Sequence, residues 1–197
     1  MDDDPDVRRA VSLLVRSVDL EARLYSSAQE FLTSYDGQTP GCLVLDLRMP
    51  GMTGLQLQQR LMEEEIRLPV IFISAYGEIA AASAAMRAGA VDFLPKPFSP
   101  QTLLERIHEA VALDAKQRQA IARQREVNQR IETLTSREHE VMQLLAAGDS
   151  TKVIARRLGI SQKTVDNHRA KVLEKLDVEN ATQLARLVVE SLDQNLN

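Results

Sequence analysis

Three apolar segments in the first half of the chain are each followed or closed by a side chain that can take part in phosphoryl chemistry. Asp46 lies in CLVLDL, Ser74 ends PVIFIS, and Lys96 follows VDFLP. Because the carboxyl ends of parallel strands meet at one edge of an open α/β sheet, we expect these side chains to converge. A carboxylate can act as a nucleophile toward phosphorus, while an ammonium and a hydroxyl bind phosphate oxygens. The pattern therefore predicts a site that forms and holds an aspartyl phosphate at Asp46.

The acidic start of the chain, MDDDPDVRR, has two interpretations. A run of charges at a terminus is usually a solvated tail. If Asp2 and Asp3 instead ended a strand beside the one that carries Asp46, two more carboxylates would join the same edge. Mg²⁺ binds one or two carboxylates together with waters and a phosphate oxygen, so this cluster would suit it.

Apolar runs that resemble short strands alternate with amphipathic helical segments over residues 1–112. We predict strands at 22–26, 42–47, 69–74 and 91–95, and helices at 27–35, 55–64, 78–88 and from 99 onward. A further helix is predicted to begin with Asp4 as its N-cap and Pro5 in its first turn. This alternation indicates a parallel sheet covered on both faces, so we predict a doubly wound α/β domain.

Residues 113–133 contain neither glycine nor proline and are rich in helix formers. Apolar residues recur every seven positions in this region, at Leu113, Ala120, Val127 and Leu134. The neighbouring seam contains glutamines, so the pattern fits either a solvated helix or a dimeric coiled coil. We predict a helical linker between two domains.

Residues 134–197 form a second predicted domain of four short helices with clear start and stop signals. These signals are a capping box at Thr135 and Glu138, closing glycines Gly148 and Gly159, and starts at Ser161 and Asn180. The segment 151–176 has the order helix, short glycine-containing turn, helix. A small all-α helix-turn-helix domain is therefore predicted.

The charge distribution separates the two predicted domains. The net charge is -4, and residues 1–112 hold 16 acidic against 10 basic side chains. From Lys152 to Lys175, in contrast, there are seven basic residues and two acidic ones. A basic stretch within an acidic protein indicates one module that binds a polyanion such as nucleic acid. The single cysteine, Cys42, and the lack of a signal peptide or membrane span predict a cytosolic protein.

Four motifs resemble, in order, the receiver domain of two-component response regulators: DDD, LDLRMPGMTG, IFISAYGE and DFLPKPF. The segment LTSREHEVMQLLAAGDSTKVIARRLGISQKTVDNHRAKVLEKL resembles a LuxR-type DNA-binding domain. Together these segments are typical of the NarL/FixJ family of transcriptional regulators. The resemblance implies a flavodoxin-like receiver, whose first strand is missing from this sequence, followed by the linker and the helix-turn-helix domain.

The resemblance also implies roles for residues around the phosphoryl site. Asp46 would be the phosphoacceptor and, with Asp3, a direct Mg²⁺ ligand. Asp2 would bind the ion through water, and the backbone carbonyl of Arg48 would be a further ligand. Arg48 lies two residues after Asp46, and Tyr76 lies two residues after Ser74, which carries the hydroxyl of the family's switch pair. Bulky side chains at these two positions imply restricted water access and slow loss of the phosphoryl group.

Two further motif positions are implied to bind the phosphoryl group or respond to it. Lys96 matches the lysine of the family, and its bond to Pro97 is expected to be cis. Ser74 and Phe93 match the switch pair, although Phe93 is more simply explained as a core residue.

The second helix of the helix-turn-helix is implied to enter the major groove of DNA. Its candidate contacts to bases and phosphates are Lys163, Thr164, Asn167, His168, Arg169 and Lys171. His168 is equally well explained as a structural histidine. LuxR-type domains often pair through their last helix, which implies a dimer contact through Leu184, Leu187 and Val188.

We therefore predict a transcriptional regulator, not an enzyme, whose partners are a sensor histidine kinase, DNA and a second copy of the phosphorylated chain. A haloacid-dehalogenase phosphatase would need an acid two residues after Asp46, where Arg48 stands. A phosphorylation-independent regulator that uses its receiver only for dimerisation stays open, and DNA binding that survives Asp46→Asn would identify it.

The first strand of the receiver is a separate expectation. Met1 stands where the family has an apolar residue, often valine, and the preceding strand of about five to six residues is absent. We expect an unpaired gap in the sheet and a start assigned too late, for instance at an internal GTG codon. The alternative is a truncated receiver that folds weakly or borrows a strand from a partner.

Overall fold

A three-stranded parallel sheet forms the centre of the N-terminal part of the chain. The computed structural model describes residues 1–74 and 79–193, with side chains described as far as residue 189. The strands are β1 (Leu43–Asp46), β2 (Val70–Ser74) and β3 (Asp92–Pro95), in the order β1-β2-β3. Every residue of β2 is buried, as expected for the central strand of a sheet covered on both faces.

Helices cover both faces of this sheet. They are α1 (Pro5–Arg16), α2 (Ala28–Ser34), α3 (Gly54–Glu63), α4 (Ile79–Arg87) and α5 (Pro100–Glu132). Phe72 of β2 packs into one core with residues of α2, α3 and α4, whereas Ile71 and Ile73 pack into another with residues of α1 and α5. Successive side chains of β2 point to opposite faces of the sheet, so this strand contributes to both cores. This arrangement confirms the predicted doubly wound α/β fold.

Side-chain caps stand at the starts of three of these helices, and the one at Asp4 was predicted from the sequence. Asp4 caps α1 by accepting a hydrogen bond from the Asp6 N–H at 2.8 Å, with Pro5 as the first helical residue. Ser27 caps α2, and Thr53 forms a capping box at the start of α3. Each such cap satisfies a backbone N–H that the helix leaves free, which stabilises the helix by about 1 kcal/mol.

The segment 22–26, which we predicted as a strand, is not a strand in the structure. It meets the start of the chain through a hydrogen bond of 3.4 Å from the Asp2 N–H to the Tyr25 carbonyl. Met1 continues toward β1, since its amino group donates to the Val44 carbonyl at 2.7 Å and its carbonyl accepts from the Asp46 N–H at 2.9 Å. Met1 and Asp2 therefore lie between Tyr25 and β1, and within residues 1–74 and 79–193 no strand pairs with 22–26.

An apolar groove of about 310 Å³ lies beside Met1 and Asp2. Its lining comes from α1, the segment before α2, β1 and α5, and includes Val11, Val15, Leu24, Val44 and Ile107. Cys42 also lines the groove, and burial raises the pKa of its thiol to about 12. The thiol therefore stays protonated, in line with a small buried side chain rather than a reactive one.

Three aromatic rings pack together beside this groove. The Tyr25 ring meets the edge of Phe31 with centroids 5.2 Å apart, and Phe31 stacks on Tyr35 with centroids 5.0 Å apart. Such pairs add to the stabilisation that comes from burying the rings. This cluster holds α2 against the segment that precedes it.

Helix α5 is continuous from Pro100 to Glu132, so the predicted linker is an extension of the last helix of the predicted α/β domain. The chain divides into two compact units, residues 1–118 and residues 119–197. Leu113 of the predicted heptad is exposed, while Leu134 packs against the core of the second unit. The coiled coil itself stays a prediction.

The second unit contains α6 (Ser136–Ala146), α7 (Thr151–Leu158), α8 (Gln162–Leu176) and α9 (Ala181–Asp193). The predicted capping box at Thr135 is present, and Gly159 ends α7 in the left-handed conformation with φ of 65°. Buried apolar residues from all four helices form its core: Val141, Leu145, Ile154, Val165, Val172, Leu176 and Leu184. No helix in the described part of the chain is long and apolar enough to cross a membrane.

The predicted pairing face on α9 is wrong in one residue. Leu184 is fully buried in the core of its own unit, and Val188 packs against that core. Leu187 is half-buried, and among the described side chains of α9 the exposed apolar one is Val189. Helical spacing predicted the apolar stripe correctly but could not indicate that this domain's own core uses it.

Glu138 links the capping box of α6 to helix α8. Its carboxylate accepts hydrogen bonds from the Thr135 N–H at 2.9 Å and from Lys175 Nζ at 2.6 Å. Lys175 also donates to the Thr133 carbonyl at 2.9 Å. The hydrogen bond from Lys175, followed by that from Thr135, lowers the pKa of Glu138 to about 2.

We predict that Glu138→Gln lowers the thermal midpoint of the second unit at neutral pH and reduces its sensitivity to acid. The ionised carboxylate stabilises the fold fully above its ordinary pKa of 4.5, and this contribution is lost as the pH falls toward 2. Thermal unfolding followed from neutral pH to about pH 2 measures both effects. Glu140→Gln, which removes an exposed carboxylate of the same helix, is the control. Equal behaviour of the two variants would contradict the prediction.

Candidate phosphoryl-acceptor site and DNA-binding surface

Asp46 and Lys96 meet at the carboxyl edge of the sheet, together with Asp2. Asp46 ends β1 and is 6% exposed. Lys96 Nζ donates to Asp46 Oδ1 at 2.6 Å and to Asp2 Oδ2 at 2.7 Å. The second oxygen of Asp46 accepts a hydrogen bond of 2.8 Å from the Arg48 N–H. One ammonium thus bridges two buried carboxylates beside the end of a strand.

The strands position these groups through backbone contacts. Lys96 directly follows β3, and its N–H donates to the carbonyl of Ser74, the last residue of β2, at 2.6 Å. Ser74 is 1% exposed, and the Lys96–Pro97 bond is cis, as predicted. The edges of β1, β2 and β3 therefore bring together the three residues that the sequence pattern singled out.

Burial and the ion pairs shift the pKa values of Asp46 and Lys96 in opposite directions. Burial raises the pKa of Asp46, and the hydrogen bond and charge of Lys96 offset part of that rise. Burial alone would lower the pKa of Lys96, but hydrogen bonds to Asp2 and Asp46 outweigh it, and the pKa is raised. Burial also lowers the pKa of the Met1 amino group to about 6. Lys96 is thus held in its charged form beside the carboxylate.

The predicted metal ligands supply oxygen atoms of the type that Mg²⁺ prefers. Asp2 is buried, and its other oxygen accepts from the Asp4 N–H at 3.0 Å, whereas Asp3 is exposed. Within residues 1–74 and 79–193, no group of three or more His, Cys, Asp or Glu side chains is arranged to hold a metal ion. Carboxylate oxygens and a backbone carbonyl nevertheless fit Mg²⁺ in their chemistry.

Gly54, the first residue of α3, supports the end of β1 and was not singled out from the sequence. Its N–H donates to the Leu47 carbonyl at 2.9 Å. A Cβ at this position would lie 2.5 Å from the Asp46 carbonyl oxygen and 2.9 Å from a ring carbon of Phe72. The sequence shows Gly54 as the last residue of PGMTG, but it does not show the close approach of Gly54 to the Asp46 backbone.

We predict that Gly54→Ala destabilises the receiver by about 1–3 kcal/mol, because the added methyl group must displace the backbone at Asp46. Alanine is the better helix former, but that preference is worth at most about 1 kcal/mol. The displacement should also slow the phosphorylation that the sequence predicts at Asp46. Urea unfolding and the phosphorylation rate measure the two effects. Gly41→Ala is the control, since its Cβ would meet nothing within 4 Å, and equal stability of both variants would contradict the prediction.

Phe93 of β3 is half-buried and stacks on Phe72 with ring centroids 6.2 Å apart. This contact is what a core residue would make, and the switch role of Phe93 stays a prediction. Tyr76 lies outside the described residues, so the expectation of slow phosphoryl loss that rests on Arg48 and Tyr76 also stays a prediction.

Helix α8 presents a buried face and a polar face. Val165, Val172 and Leu176 lie in the core, while Ser161 caps the helix by accepting from the Thr164 N–H at 3.1 Å. Of the six predicted contact residues, three are exposed and three are half-buried: Lys163, Asn167 and Lys171, then Thr164, His168 and Arg169. The structure therefore groups all six on one helix with accessible side chains at its start.

His168 and helix α7 add detail that the sequence did not provide. His168 Nδ1 is buried and has no hydrogen-bond partner among the described residues, which fits neither a fully satisfied structural histidine nor a fully exposed contact. A depression of about 460 Å³ beside the start of α8 is lined by Lys152, Arg156 and Gln162, among others. The sequence had shown these two basic residues only as part of a charged stretch.

Comparison with known proteins finds relatives for both parts of the chain. Residues 1–108 match the family model of the response regulator receiver domain, and residues 132–188 match that of the bacterial regulatory proteins of the luxR family. The transcriptional regulatory protein TdiR of Thauera aromatica is 40% identical over 192 residues, which are 96% of this chain and 83% of TdiR. The response regulator protein TodT of Pseudomonas putida is 41% identical over 196 residues, covering 100% of this chain and 86% of TodT.

Solved structures show the same similarity. The response regulator StyR is 42% identical and superimposes with a TM-score of 0.88 over 96% of each chain. Full-length FixJ from B. japonicum is 34% identical, with a TM-score of 0.58 over 96% of this chain and 93% of FixJ. The similarity therefore extends through both units.

Proposed function

Since the chain belongs to the NarL/FixJ family of response regulators, with a receiver domain and a LuxR-type DNA-binding domain, we propose that Asp46 is its phosphoacceptor and that phosphorylation there controls DNA binding. The observation that carries this proposal is the ammonium of Lys96, which contacts both Asp46 and Asp2 at the strand edge. The family acts in transcription, so we assign no enzymatic turnover, and the DNA and kinase partners suit the cytosol.

The side chains at the site have complementary parts in phosphoryl transfer. A carboxylate oxygen of Asp46 attacks the phosphorus of a phosphohistidine on the sensor kinase, so that a P–O bond forms as the P–N bond breaks. Lys96 keeps its charge and offers it to a phosphoryl oxygen after transfer. Ser74, at the end of β2, offers a hydroxyl to the same group, while Phe93 responds as the second switch residue.

Mg²⁺ would be held by the carboxylates of Asp2, Asp3 and Asp46 and by the backbone carbonyl of Arg48. When bound, the ion neutralises negative charge between the carboxylates and the phosphoryl group. Asp3 is exposed and Asp2 is buried, so the site has a solvent-facing side, called open, and a protein-facing side, called closed. Lys96 already balances the charge of Asp2 and Asp46 on the closed side.

The DNA-binding half of the proposal rests on the polar face of helix α8. Its basic and amide side chains reach base edges and phosphates when such a helix enters the major groove. A phosphorylated dimer would place two of these helices on half-sites about 10 bp apart, or a multiple of that spacing. We place residues 113–133 as the helical connection between receiver and DNA-binding domain.

The test of this proposal is DNA footprinting on the promoter beside the gene, with and without a small phosphodonor and Mg²⁺. We expect phosphorylation to raise the DNA affinity and to protect two half-sites. Protection that is identical with and without phosphorylation would contradict phosphorylation control and support a regulator that uses its receiver only for dimerisation.

We predict that Lys163→Ala and Lys171→Ala each weaken DNA binding and flatten its salt dependence. A lysine that contacts a phosphate releases counterions on binding, so losing it reduces the slope of log K against log salt by about 0.9. Affinity measured over a series of salt concentrations gives this slope. Lys116→Ala, which removes an exposed lysine from α5, is the control. Unchanged slopes in both α8 variants would remove these lysines from the interface.

A further inference from the structure

Helix α5 is fastened to the loop before β1 by a buried carboxylate. Asp114 is 1% exposed, although it lies in the segment with the composition of a solvated linker. Its Oδ2 atom accepts a hydrogen bond of 2.8 Å from the Gly41 N–H and one of 2.7 Å from Arg118 Nε. We call this pair, Asp114 and Arg118, the α5 clamp.

Arg118 extends the clamp over the whole loop. Its Nη1 atom donates to the Gly37 carbonyl at 2.8 Å, and its Nη2 atom donates to the Thr39 carbonyl at 3.2 Å and to the Tyr35 hydroxyl at 3.4 Å. The hydrogen bond that Arg118 donates to Asp114 is the main cause of the raised pKa of Arg118. The planar guanidinium can make these contacts together, which a lysine ammonium cannot reproduce.

The clamp connects the proposed phosphoacceptor strand to the helix that leaves the receiver. Gly41 is two residues before β1, which ends at Asp46, so only Cys42 and the short strand β1 connect the clamped amide to the acceptor. Arg118 is the last residue of the first compact unit, and α5 continues beyond it to Glu132. The clamp therefore joins the strand that would carry the phosphoryl group to the helix that leads, along the chain, toward the DNA-binding domain.

The ionic character of the clamp favours one register of α5 over others. A buried carboxylate that loses its partner strongly destabilises the folded chain. Apolar side chains of similar size would tolerate a shift of α5 along or around its axis more easily. Sliding or rotating α5 would separate Asp114 from Gly41 and would separate Arg118 from four carbonyl or hydroxyl oxygens at once. An element with such discrete alternatives can carry a two-state signal.

We propose that the Asp114–Arg118 clamp couples the phosphorylation state of the receiver to helix α5 and so to DNA binding. This inference rests on the proposed function, because it needs phosphorylation at Asp46 and a DNA response. The two residues are positioning residues, since they act through β1 and α5 and lie outside the contacts of Asp46 itself. A merely structural role would predict lower stability with an intact response.

The test compares the full chain with Arg118→Lys, Arg118→Gln and the double variant Asp114→Leu/Arg118→Met. The double variant replaces the ion pair by apolar side chains, so it keeps the fold should the single variants unfold. Arg125→Gln removes an exposed arginine from the same helix and is the matched control. Intact mass measures phosphorylation of Asp46, hydrogen exchange measures protection of the Gly41 amide, and DNA affinity is measured with and without phosphodonor and Mg²⁺.

We expect the wild-type chain and Arg125→Gln to gain DNA affinity on phosphorylation, by about 5- to 150-fold if the coupling is of ordinary size. In the clamp variants, phosphorylation should still occur and Gly41 should exchange faster, while the gain falls below about twofold. A full gain in the folded double variant with faster Gly41 exchange would overturn the clamp proposal alone. Absence of any gain in the wild-type chain would instead overturn the proposed function, and the clamp proposal with it.

Discussion

Replacing Asp46 by asparagine is expected to abolish phosphorylation of the chain by a small phosphodonor with Mg²⁺. Asparagine keeps the size of the side chain and an oxygen that can accept from Lys96 or from the Arg48 N–H, so the fold should persist. It has no carboxylate to attack phosphorus, and Asp2, the other carboxylate that Lys96 contacts, belongs to none of the three strands β1, β2 and β3. Intact-mass spectrometry should therefore detect the phosphoryl adduct on the wild-type chain and none on the variant.

Asp92→Asn is the matched control for this experiment. Asp92 begins β3, at the opposite edge of the sheet, and pairs with Arg106. Its replacement should leave the phosphoryl adduct unchanged. An adduct on Asp46→Asn would show that another residue is the acceptor, whereas DNA binding that is unaffected by Asp46→Asn would favour the regulator that needs no phosphorylation.

The second large effect is expected from filling the apolar groove beside β1. Five β-branched apolar residues added directly before Met1 should continue the ladder that Met1 and Asp2 begin between Tyr25 and β1. A sealed apolar cavity costs about 24 cal/mol per Å³, so filling 310 Å³ of this open groove contributes at most about 7 kcal/mol. The open side of the groove and the ordering of the added residues reduce this figure, so we expect a net gain of about 3 kcal/mol.

Thermal unfolding and Mg²⁺ titration of the extended chain test this expectation. A gain of about 3 kcal/mol should raise the midpoint of the receiver by roughly 10 °C. Mg²⁺ should bind more tightly as well, because a paired strand would hold Asp2 and Asp3 in place. An extension of five glycine and serine residues is the control, since it adds the same length without apolar side chains. Equal midpoints and equal Mg²⁺ affinities for the two extended chains would contradict the prediction.

The sequence predicted the parts of the structure that depend on local signals. The capping residues Asp4, Thr135 and Ser161 start helices as expected, because a side-chain oxygen near free backbone N–H groups acts within a single turn. Asp46 and Lys96 also meet as expected, since parallel strands place their carboxyl ends on one edge.

Features that depend on partners distant in sequence could not be predicted in this way. The segment 22–26 has the composition of a strand, but a strand needs a neighbour, and the backbone hydrogen bond that reaches this segment comes from the Asp2 N–H. Leu184 belongs to the apolar stripe of α9, and it packs into the core of its own domain rather than facing a second copy. The Asp114 contact with Gly41 joins residues 73 positions apart, and no periodicity in the linker indicates a buried carboxylate there.

The aromatic cluster beside the groove has a consequence for spectroscopy. The chain has no tryptophan and three tyrosines, all in residues 1–118, and two of them, Tyr25 and Tyr35, flank Phe31. Intrinsic ultraviolet emission therefore comes from the receiver alone, whereas circular dichroism of the helices reports on both units. Melting curves recorded by the two methods on one unlabelled sample would separate the receiver from the DNA-binding domain.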